Sequence, residues 1–321
     1  MSGKQKILIT GANGYLGSHI TELLCKSGHD VRALCFEYFD ELKKWTEQGV
    51  KIIRGDITQQ SCFETLESYA FDTIIHLVSL NHFDSEKDPG RVLKVNVLPT
   101  WNLLKKFADK GLKKFIYFST QQVYGRIPCV EISEAYPPKP VNSYGLTHLQ
   151  SEQIVNLYNT ISGVDGINIR LSNSFGAPVF KQNNCWWLVV NDLCRTAYRE
   201  RKIKLLSDGS PQRDFIHVSD VAAAVKVLVE NTSLNTKLFN ISSGNTYTIL
   251  ELAKTVRKIY HQRYHSEIPI LDTNDVEFDL SKKITNPKYT IINSAITDAG
   301  LVLKTDLEMG INELFQYLEK N

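Results

Sequence analysis

The sequence predicts an open, doubly wound α/β sheet with a smaller lobe in the C-terminal half. Three observations indicate this fold. Apolar, β-branched runs alternate with amphipathic helical patterns through residue 171. Those runs are nearly continuous, which is typical of parallel strands that are buried on both faces of a sheet. Beyond residue 172 the alternation stops, and a polar stretch that contains proline leads into a different pattern.

Six runs are predicted as the parallel strands: Lys6–Thr10, Val31–Phe36, Val50–Arg54, Thr73–Leu77, Lys114–Ser119 and Gly166–Leu171. The helix after the first strand is expected to end at Gly28, and its apolar face is formed by Leu16, Ile20, Leu23 and Leu24. A second helical pattern covers roughly Arg91 to Asp109.

In the C-terminal half, the stretch "CWWLVVNDL" and a strand-like "IKLLSD" precede a helix that is predicted over Thr248–Tyr260. This helix opens with a capping box, in which Thr248 and Glu251 satisfy backbone N–H groups at the first turn. We expect residues 1–172 to bind a dinucleotide and residues 173–321 to form a substrate lobe. A segment at about 213–242 returns to the first domain.

Composition and charge exclude several classes of protein. Of 321 residues, 42% are hydrophobic and 22% are charged, so the chain can bury a full core. Lys and Arg number 37 against 35 Asp and Glu, with no basic block, so we expect no nucleic-acid partner. No apolar run approaches the roughly 20 residues of a membrane helix, and Met1 to Lys6 lead directly into a strand. We therefore expect a cytoplasmic protein without a membrane partner.

The cysteines and histidines do not form the spacings of a metal site or a disulfide framework. No C-x-x-C occurs among the six cysteines, and we expect them to be reduced and structural: Cys25, Cys35, Cys62, Cys129, Cys185 and Cys194. The eight histidines show neither H-E-x-x-H nor a Cys/His cluster. We expect no metal.

The first chemical motif is "ILITGANGYLGSHI", where a strand, three glycines and a helix follow one another. Gly11, Gly14 and Gly17 allow a tight turn, after which backbone N–H groups can meet a pyrophosphate at the positive end of the helix. Three glycines alone are a weak signal, because a glycine-rich turn has the same letters. The order of strand, glycines and amphipathic helix makes dinucleotide binding the stronger interpretation.

The choice between NAD and NADP stays open at the next strand. An acidic residue at its end would bind an unphosphorylated adenosine ribose, but Cys35 stands there and Glu37 follows two residues later. There is no clear arginine for a 2′-phosphate either. Asp56, just past the third strand, can meet the adenine or simply end that strand in a turn, and the residues favour neither role.

A hydroxyl and a phenol are expected to meet at the carboxyl edge of the sheet. Thr120 follows the fifth strand, and Tyr144 lies near the start of the next long helix. Because a phenol has an unperturbed pKa of about 10, it needs a nearby positive charge to act as a base at neutral pH. His148 lies one helical turn on and, with a usual pKa of about 6.5, is mostly neutral at pH 7. Taken alone, such a Tyr–His pair is more often an ordinary pair of partly buried side chains.

These residues resemble a known family over nearly the whole chain. The chain looks like an extended short-chain dehydrogenase/reductase of the branch that contains NAD(P)-dependent nucleotide-sugar epimerases, dehydratases and reductases. The matching motifs keep the family's order and spacing: "TGANGYLG" (10–17), "GD" (55–56), "IIHLVS" (74–79), "VNVLPTWNLL" (95–104), "FSTQQVYG" (118–125), "NSYG" (142–145), "RLSNSFGAP" (170–178), "RDFIHVSDV" (213–221) and "NISSG" (240–244). The resemblance implies a Rossmann fold.

The resemblance also implies roles for individual residues. Thr120 would polarise the substrate oxygen, Tyr144 would be the acid/base, and position 148 would carry a lysine, where this chain has His148. The cofactor, NAD or NADP, would be bound by Gly11, Asn13, Gly14, Tyr15, Leu16, Gly17, Asp56, Ile57, Leu77, Ser79, Asn96, Tyr144 and His148. A nucleotide-diphosphate sugar would be bound by Gln121, Gln122, Asn173 and Arg213. Alternatively, Asn173 caps a turn and Arg213 pairs with Asp214.

The reaction type is narrowed by two glutamines. Family members that eliminate water from the sugar carry an acidic pair where this chain has Gln121 and Gln122, and glutamine cannot ionise. We therefore expect an epimerase or a 4-ketoreductase, with hydride transfer at a sugar carbon that we take to be C4. The alternatives are a 4,6-dehydratase and a binding protein with weakened catalysis. The resemblance further implies a homodimer through the helical segments 91–109 and 143–162.

Overall fold

The structure is a computed structural model of the chain, and it describes residues 3–127, 130–281 and 287–321. Cys129 lies outside the described residues. The other five cysteines are free thiols, and all but the half-buried Cys25 are buried.

The chain alternates strands and helices through its first half and continues with shorter strands afterwards. The strands of the described part are β1 (Lys6–Thr10), β2 (Asp30–Cys35), β3 (Lys51–Arg54), β4 (Thr73–His76), β5 (Lys114–Thr120), β6 (Glu131–Ile132), β7 (Asp165–Leu171), β8 (Asn173–Phe175), β9 (Ile203–Lys204), β10 (Gln212–His217), β11 (Leu238–Ile241), β12 (Thr246–Thr248), β13 (Ile270–Leu271) and β14 (Thr290–Ile291). The helices are α1 (Tyr15–Lys26), α2 (Lys43–Glu47), α3 (Gln60–Leu66), α4 (Pro89–Asn96), α5 (Leu98–Phe107), α6 (Ser143–Ile161), α7 (Val189–Glu200), α8 (Val218–Glu230), α9 (Ile249–Tyr264), α10 (Ser294–Asp298) and α11 (Leu307–Lys320).

The main sheet has seven parallel strands in the order β11-β7-β5-β4-β1-β2-β3. The prediction of a doubly wound parallel sheet is confirmed, and the six predicted strands agree with β1 to β5 and β7 to within one residue at either end. The chain winds outward from β1 to β3 and then crosses back to β4 on the other side of β1. This reversal leaves a crevice at the carboxyl edge between β1 and β4, which is where such sheets bind ligands.

Helices cover both faces of this sheet. On one face α1 packs against α8, and Ile20 and Leu24 of α1 share a buried cluster with Val225 and Leu228 of α8. On the other face α5 and α6 cover the sheet, with Leu103, Leu104 and Val155 in a second cluster. Because both faces are buried, the strands have the continuous apolar character that the sequence shows.

The prediction of one helix over Arg91–Asp109 is wrong, because the segment forms two helices. The break falls at Val97, between α4 and α5. Pro99 lies in the first turn of α5, where its missing N–H is not needed by the helix. In the middle of one long helix the same proline would remove a backbone hydrogen bond and clash with the preceding turn. The first helix ends as predicted, with Gly28 just beyond it at φ +89°.

The second half of the chain builds a smaller three-stranded sheet, β12-β10-β8, and a helical cluster of α7, α9 and α11. The predicted capping box is confirmed: Glu251 N donates to Thr248 Oγ1 (3.1 Å) and Thr248 N donates to the Glu251 carboxylate (2.8 Å). In the strand-like "IKLLSD", only Ile203 and Lys204 form a strand. In the described residues no helix combines the length and apolar character that crossing a membrane requires.

Candidate active site

A cleft of about 360 Å³ opens at the carboxyl ends of β1, β4 and β5, beside the crossover of the sheet. Both halves of the chain line it. The first half contributes the glycine loop, the segments that follow β4 and β5, and the first turns of α6. The second half contributes residues 172–174, 184, 185, 187 and 188. The predicted site residues of this edge therefore meet in one place.

The glycine loop has the close backbone approach that a dinucleotide needs. Gly11 has φ +69°, and a Cβ there would lie 3.3 Å from Val78 Cγ2. At Gly17 a Cβ would lie 2.1 Å from the Gly11 carbonyl oxygen, and at Gly14 it would lie 3.1 Å from the same oxygen. The loop ends at Tyr15, the first residue of α1, so the positive end of that helix faces the cleft. The glycine loop and the start of α1 therefore fit the pyrophosphate of a dinucleotide.

The neighbouring residues of this loop tie it to the rest of the site. Asn13 donates from Nδ2 to the Glu37 carbonyl (2.8 Å), which joins the loop to the segment after β2. The Tyr15 hydroxyl donates to the Gly176 carbonyl (3.1 Å), just past β8. Tyr15 and Leu16 line the cleft, whereas Asn13 does not. Asn13 therefore uses its side chain to hold the loop in place.

The end of β2 carries a neutral thiol. Cys35 is fully buried, and burial raises the pKa of its thiol to about 12. Arg54, at the end of β3, is paired in register with Cys35, and its guanidinium lies 3.6 Å from the centre of the Tyr38 ring. Glu37 is exposed in the loop between them. No motif in the sequence marks Arg54; the pairing of β2 with β3 brings it beside Cys35.

Asp56 and Ile57 lie outside the cleft, in the turn after β3. The Asp56 carboxylate accepts hydrogen bonds from the Thr58 N–H (2.9 Å) and the Thr58 hydroxyl (2.8 Å). Burial alone would raise the pKa of Asp56, but these hydrogen bonds outweigh it and lower the pKa below its usual value. Ile57 is buried in the core beside α3. The turn role that the sequence left open for Asp56 is present in the structure.

Asn96 lies behind the wall of the cleft. It is completely buried; its Oδ1 accepts from Leu80 N (2.8 Å), and its Nδ2 donates to Thr147 Oγ1 (3.1 Å). These bonds connect the segment after β4 to α6. Leu77 and Ser79 of that segment line the cleft, while Asn96 positions the segment; their contact with the cofactor stays a prediction.

Thr120 and Tyr144 converge on one point of the cleft. Helix α6 approaches the turn after β5 so closely that a Cβ at Gly145 would lie 2.7 Å from the Gln122 carbonyl oxygen. As a result, the Tyr144 phenol lies close enough to the Ser79 and Thr120 hydroxyls for both to lower its pKa. Burial raises the pKa of Tyr144 above its usual value, and the two hydroxyls offset only part of that rise. The phenol is therefore protonated at neutral pH in the free protein.

His148 is buried against Tyr144 and carries no charge. Its ring centre lies 4.3 Å from that of Tyr144 and 6.0 Å from that of Tyr117. Burial lowers the pKa of His148 to about 3, and its Nδ1 has no hydrogen-bond partner among the described residues. His76 nearby is also buried, and burial together with His148 lowers its pKa to about 3. The cation that the family supplies at position 148 is thus missing.

The predicted substrate residues lie on the other side of the cleft. Gln121, Gln122 and Asn173 line both this cleft and an adjoining cavity of about 870 Å³, which Arg213 also lines. Asn173 donates from Nδ2 to the Asp214 carbonyl (2.9 Å), between β8 and β10. Arg213 does not pair with Asp214, whose buried carboxylate accepts from the Ser172 and Ser243 hydroxyls (2.6 and 3.0 Å). The Arg213 guanidinium donates to the Gln212 carbonyl (2.7 Å) and lines the adjoining cavity.

Several residues of the site could not be recognised in the sequence. They share an origin in loops, where no periodic pattern marks a function: Asn81, His82, Arg126, Asn184, Trp187 and Leu188. The unusual "CWW" run was the one visible signal among them. Within the described ranges, no three His, Cys, Asp or Glu side chains cluster in a way that could hold a metal ion.

Known proteins resemble the chain throughout. It is 28% identical over 82% of its length to a UDP-glucose 4-epimerase of Halalkalibacterium halodurans, of which it covers 82%. It is 23% identical over 99% of its length to an Arabidopsis thaliana trifunctional UDP-glucose 4,6-dehydratase/3,5-epimerase/reductase, of which it covers 48%. Among solved structures, the Thermotoga maritima UDP-glucose 4-epimerase with UDP-glucose superposes with a TM-score of 0.83 at 23% identity, over 98% of this chain and 99% of that one.

The family itself is identified by a match over most of the chain. Residues 7–242, about three quarters of the chain, match the NAD dependent epimerase/dehydratase family. The predicted resemblance to extended short-chain dehydrogenases of the nucleotide-sugar branch is confirmed, and the predicted enzyme class agrees with the relatives. From the glycine loop through β11, the chain belongs to the NAD dependent epimerase/dehydratase family.

Proposed function

We propose that the chain is a UDP-hexose 4-epimerase. The observation that carries this proposal is the meeting of the Thr120 and Tyr144 hydroxyls beside a dinucleotide-binding glycine loop, with no carboxylate on the described walls of the cleft. A related UDP-glucose 4-epimerase supports the choice of nucleotide and of reaction. The adjoining cavity, with Arg126 and Arg213, is suited to the diphosphate.

The side chains of the site have distinct tasks in this reaction. The glycine loop, Leu77 and Ser79 would hold the dinucleotide, which would supply reversible hydride transfer at sugar C4. Tyr144 takes the proton of the C4 hydroxyl and later gives it back, so it acts as both base and acid. Thr120 hydrogen-bonds the same oxygen and fixes it beside the phenol. Gln121, Gln122 and Asn173 can hold sugar hydroxyls without ionising.

Elimination of water is the competing reaction, and the Arabidopsis thaliana relative includes a 4,6-dehydratase. That chemistry needs a group to protonate the leaving hydroxyl and another to remove the C5 proton. Gln121 and Gln122 occupy the relevant turn: the buried Gln121 Oε1 has no partner among the described residues, and the Gln122 Oε1 accepts from Asn142 (2.8 Å). Neither can transfer a proton, so the arrangement favours epimerisation.

One experiment tests the activity and the main alternatives together. Purified protein is supplied with dinucleotide and UDP-glucose, and the sugars are resolved by chromatography and mass spectrometry. We expect UDP-galactose of unchanged mass. A product lighter by one water would identify a dehydratase, and turnover of only a 4-keto-sugar with consumption of reduced dinucleotide would identify a reductase.

Replacing the phenol tests the assignment of Tyr144. We expect Tyr144→Phe to lower kcat by about 10²–10⁴-fold, because it removes the proton-transfer group, and to leave dinucleotide affinity within about threefold. Tyr69→Phe, on a half-buried tyrosine away from the cleft, is the matched control. Activity that survives in Tyr144→Phe contradicts the assignment.

The native protein itself tests the remaining alternative. If it binds UDP-glucose without turning it over, it is a binding protein.

A homodimer is supported by an apolar surface on α4, α5 and α6. On these helices Val92, Leu103, Phe107 and Ile154 are buried within the chain. Large exposed apolar side chains instead share the outer surface of these packed helices: Leu93, Leu98, Trp101, Leu146, Leu157 and Ile161. We expect a dimer by sedimentation equilibrium, and Trp101→Glu should give monomers while Leu206→Glu, on another exposed leucine, should not.

The assignment of each part of the chain to one ligand is also part of this proposal. Residues 1–172 would bind the dinucleotide, residues 173–321 would bind the nucleotide sugar, and the segment at about 213–242 would return to the first domain. Two features support the last point: α8 packs on α1, and β11 extends the main sheet beside β7. The cytoplasmic location stays a prediction.

A further inference from the structure

The two ends of the ligand-binding cleft differ in charge. The inner end lies beside Thr120 and Tyr144, and none of the described residues that line it is Asp, Glu, Lys or Arg. Its walls on the sugar side are amides and apolar groups: Asn81, Gln121, Gln122, Asn184, Trp187 and Leu188. The two histidines there, His82 and His148, have pKa values that burial lowers below the usual value, so they are neutral at pH 7.

The outer end of the cleft is positive. Arg126 and Arg213 line it, and no carboxylate does so among the described residues. Asp214, the acid next to Arg213 in sequence, points into the protein and is held by Ser172 and Ser243. The cleft therefore offers cations to one part of an extended ligand and none to the other part.

Aromatic side chains stand at the junction of the two ends. The ring centres of His82 and Phe83 are 3.8 Å apart, and those of His82 and Trp187 are 5.9 Å apart. Phe83 and Trp187 remain largely exposed, at 63% and 47%. Exposed rings at the mouth of a cleft can pack against the C–H face of a pyranose, which carries no charge.

We propose that the inner end selects an uncharged hexopyranose and rejects a hexuronic acid on the same nucleotide. This rests on the proposed epimerase function. A carboxylate at C6 would be taken partly out of water and would meet no described cation, whichever face of the ring is turned to the wall. The rejection of a carboxylate therefore does not depend on one orientation of the sugar. This matters because an epimerase must hold its sugar in two orientations.

Binding and turnover of two sugars test the selection. UDP-glucose and UDP-glucuronic acid are titrated into the protein loaded with dinucleotide, and kcat/KM is measured for each. We expect UDP-glucuronic acid to bind at least about tenfold more weakly, and kcat/KM to fall by at least that factor; the open cleft keeps the effect below that of a fully buried charge. An affinity for UDP-glucuronic acid within tenfold of that for UDP-glucose overturns the proposal.

A positive charge introduced on the wall of the cleft tests whether the missing cation causes the selection. Leu188 is half-buried, lines both ends of the cleft and has no part in the proton transfer. In Leu188→Lys the affinity ratio should shift toward UDP-glucuronic acid by about threefold or more, whereas Leu188→Met, of similar length without charge, should keep the native ratio. An unchanged ratio in Leu188→Lys overturns the explanation by charge.

The two proposals fail in different ways. If neither sugar is turned over but UDP-glucose still binds more tightly, the epimerase function is wrong and the selection of a neutral sugar stands. If both sugars are epimerised with similar efficiency, the function stands and the selection is wrong.

Discussion

Tyr144 has to transfer a proton without a fixed positive charge beside it. Its phenol is buried, and among the described residues the Ser79 and Thr120 hydroxyls, but no cation, lower its pKa. His148, which fills the position of the family's lysine, is neutral because burial lowers its pKa to about 3. The native protein is therefore expected to need high pH, or the positive charge of an oxidised nicotinamide, to form phenolate.

Changing His148 to lysine should shift the pH dependence of the reaction. A permanent charge one turn from Tyr144 stabilises phenolate, so in His148→Lys we expect the ascending limb of the pH–rate profile, which follows Tyr144 ionisation, to move to lower pH by about 1–3 units. His148→Met, which is neutral, controls for the change in packing and should not move that limb. A large loss of activity in His148→Lys with an unmoved profile would show that the imidazole itself relays the proton.

Cofactor choice at the end of β2 is a second question about single residues. A neutral thiol at Cys35 cannot repel a 2′-phosphate, and Arg54 in register with it carries no carboxylate partner among the described ion pairs. We expect NADP(H) to bind with an affinity at least comparable to that of NAD(H), as measured by titration. Cys35→Asp should selectively weaken the binding of NADP(H). A native preference for NAD of more than about tenfold, roughly 1.4 kcal/mol, would assign the ribose to Glu37 instead.

At the scale of elements, a buried ion pair joins the strands to the catalytic helix. Glu152 lies two turns beyond Tyr144 on α6, and its carboxylate accepts from Arg170 of β7 (3.1 and 2.7 Å) and from the Ser119 hydroxyl of β5 (2.5 Å). Both charged side chains are almost fully buried. The pair thus fixes α6 against the two strands whose ends carry the site.

Removing one partner of this pair should be strongly destabilising. Glu152→Ala leaves the Arg170 guanidinium buried without a counter-charge, and we expect a loss of about 3–5 kcal/mol in the free energy of unfolding, measured with urea. Glu308→Ala, which breaks the exposed pair with Lys258, is the control and should change stability little. A loss below about 1 kcal/mol in Glu152→Ala would mean that water or relaxation compensates the charge.

Across the whole molecule, buried histidines link folding to pH. Burial lowers the pKa values of His76 and His148 to about 3 and that of His217 to about 4, against about 6.5 in an unfolded chain. The unfolded state therefore binds more protons below pH 6.5. Their stabilising contribution is complete above that pH and is lost as the pH falls toward 3–4.

Acid should therefore weaken the fold well before the carboxylates titrate. For His148 alone the loss between pH 8 and pH 5 is about 2 kcal/mol, given the lowered pKa. We expect the stability of His148→Asn, measured by urea unfolding at both pH values, to depend less on pH by that amount. His265→Asn, at an exposed site, should behave as the native protein does. Equal pH dependence in all three would show that His148 is not buried in neutral form.

The sequence by itself determined the parallel sheet, the glycine loop and the positions of Thr120, Tyr144 and His148, because each follows from a short local pattern. Only the tertiary structure decided what surrounds them. It places Asn96 behind the wall of the cleft and brings loop residues such as Trp187 to its mouth. The physical reason is that periodicity reports which face of an element is buried, whereas burial and charge at a site depend on segments that are far apart in the chain.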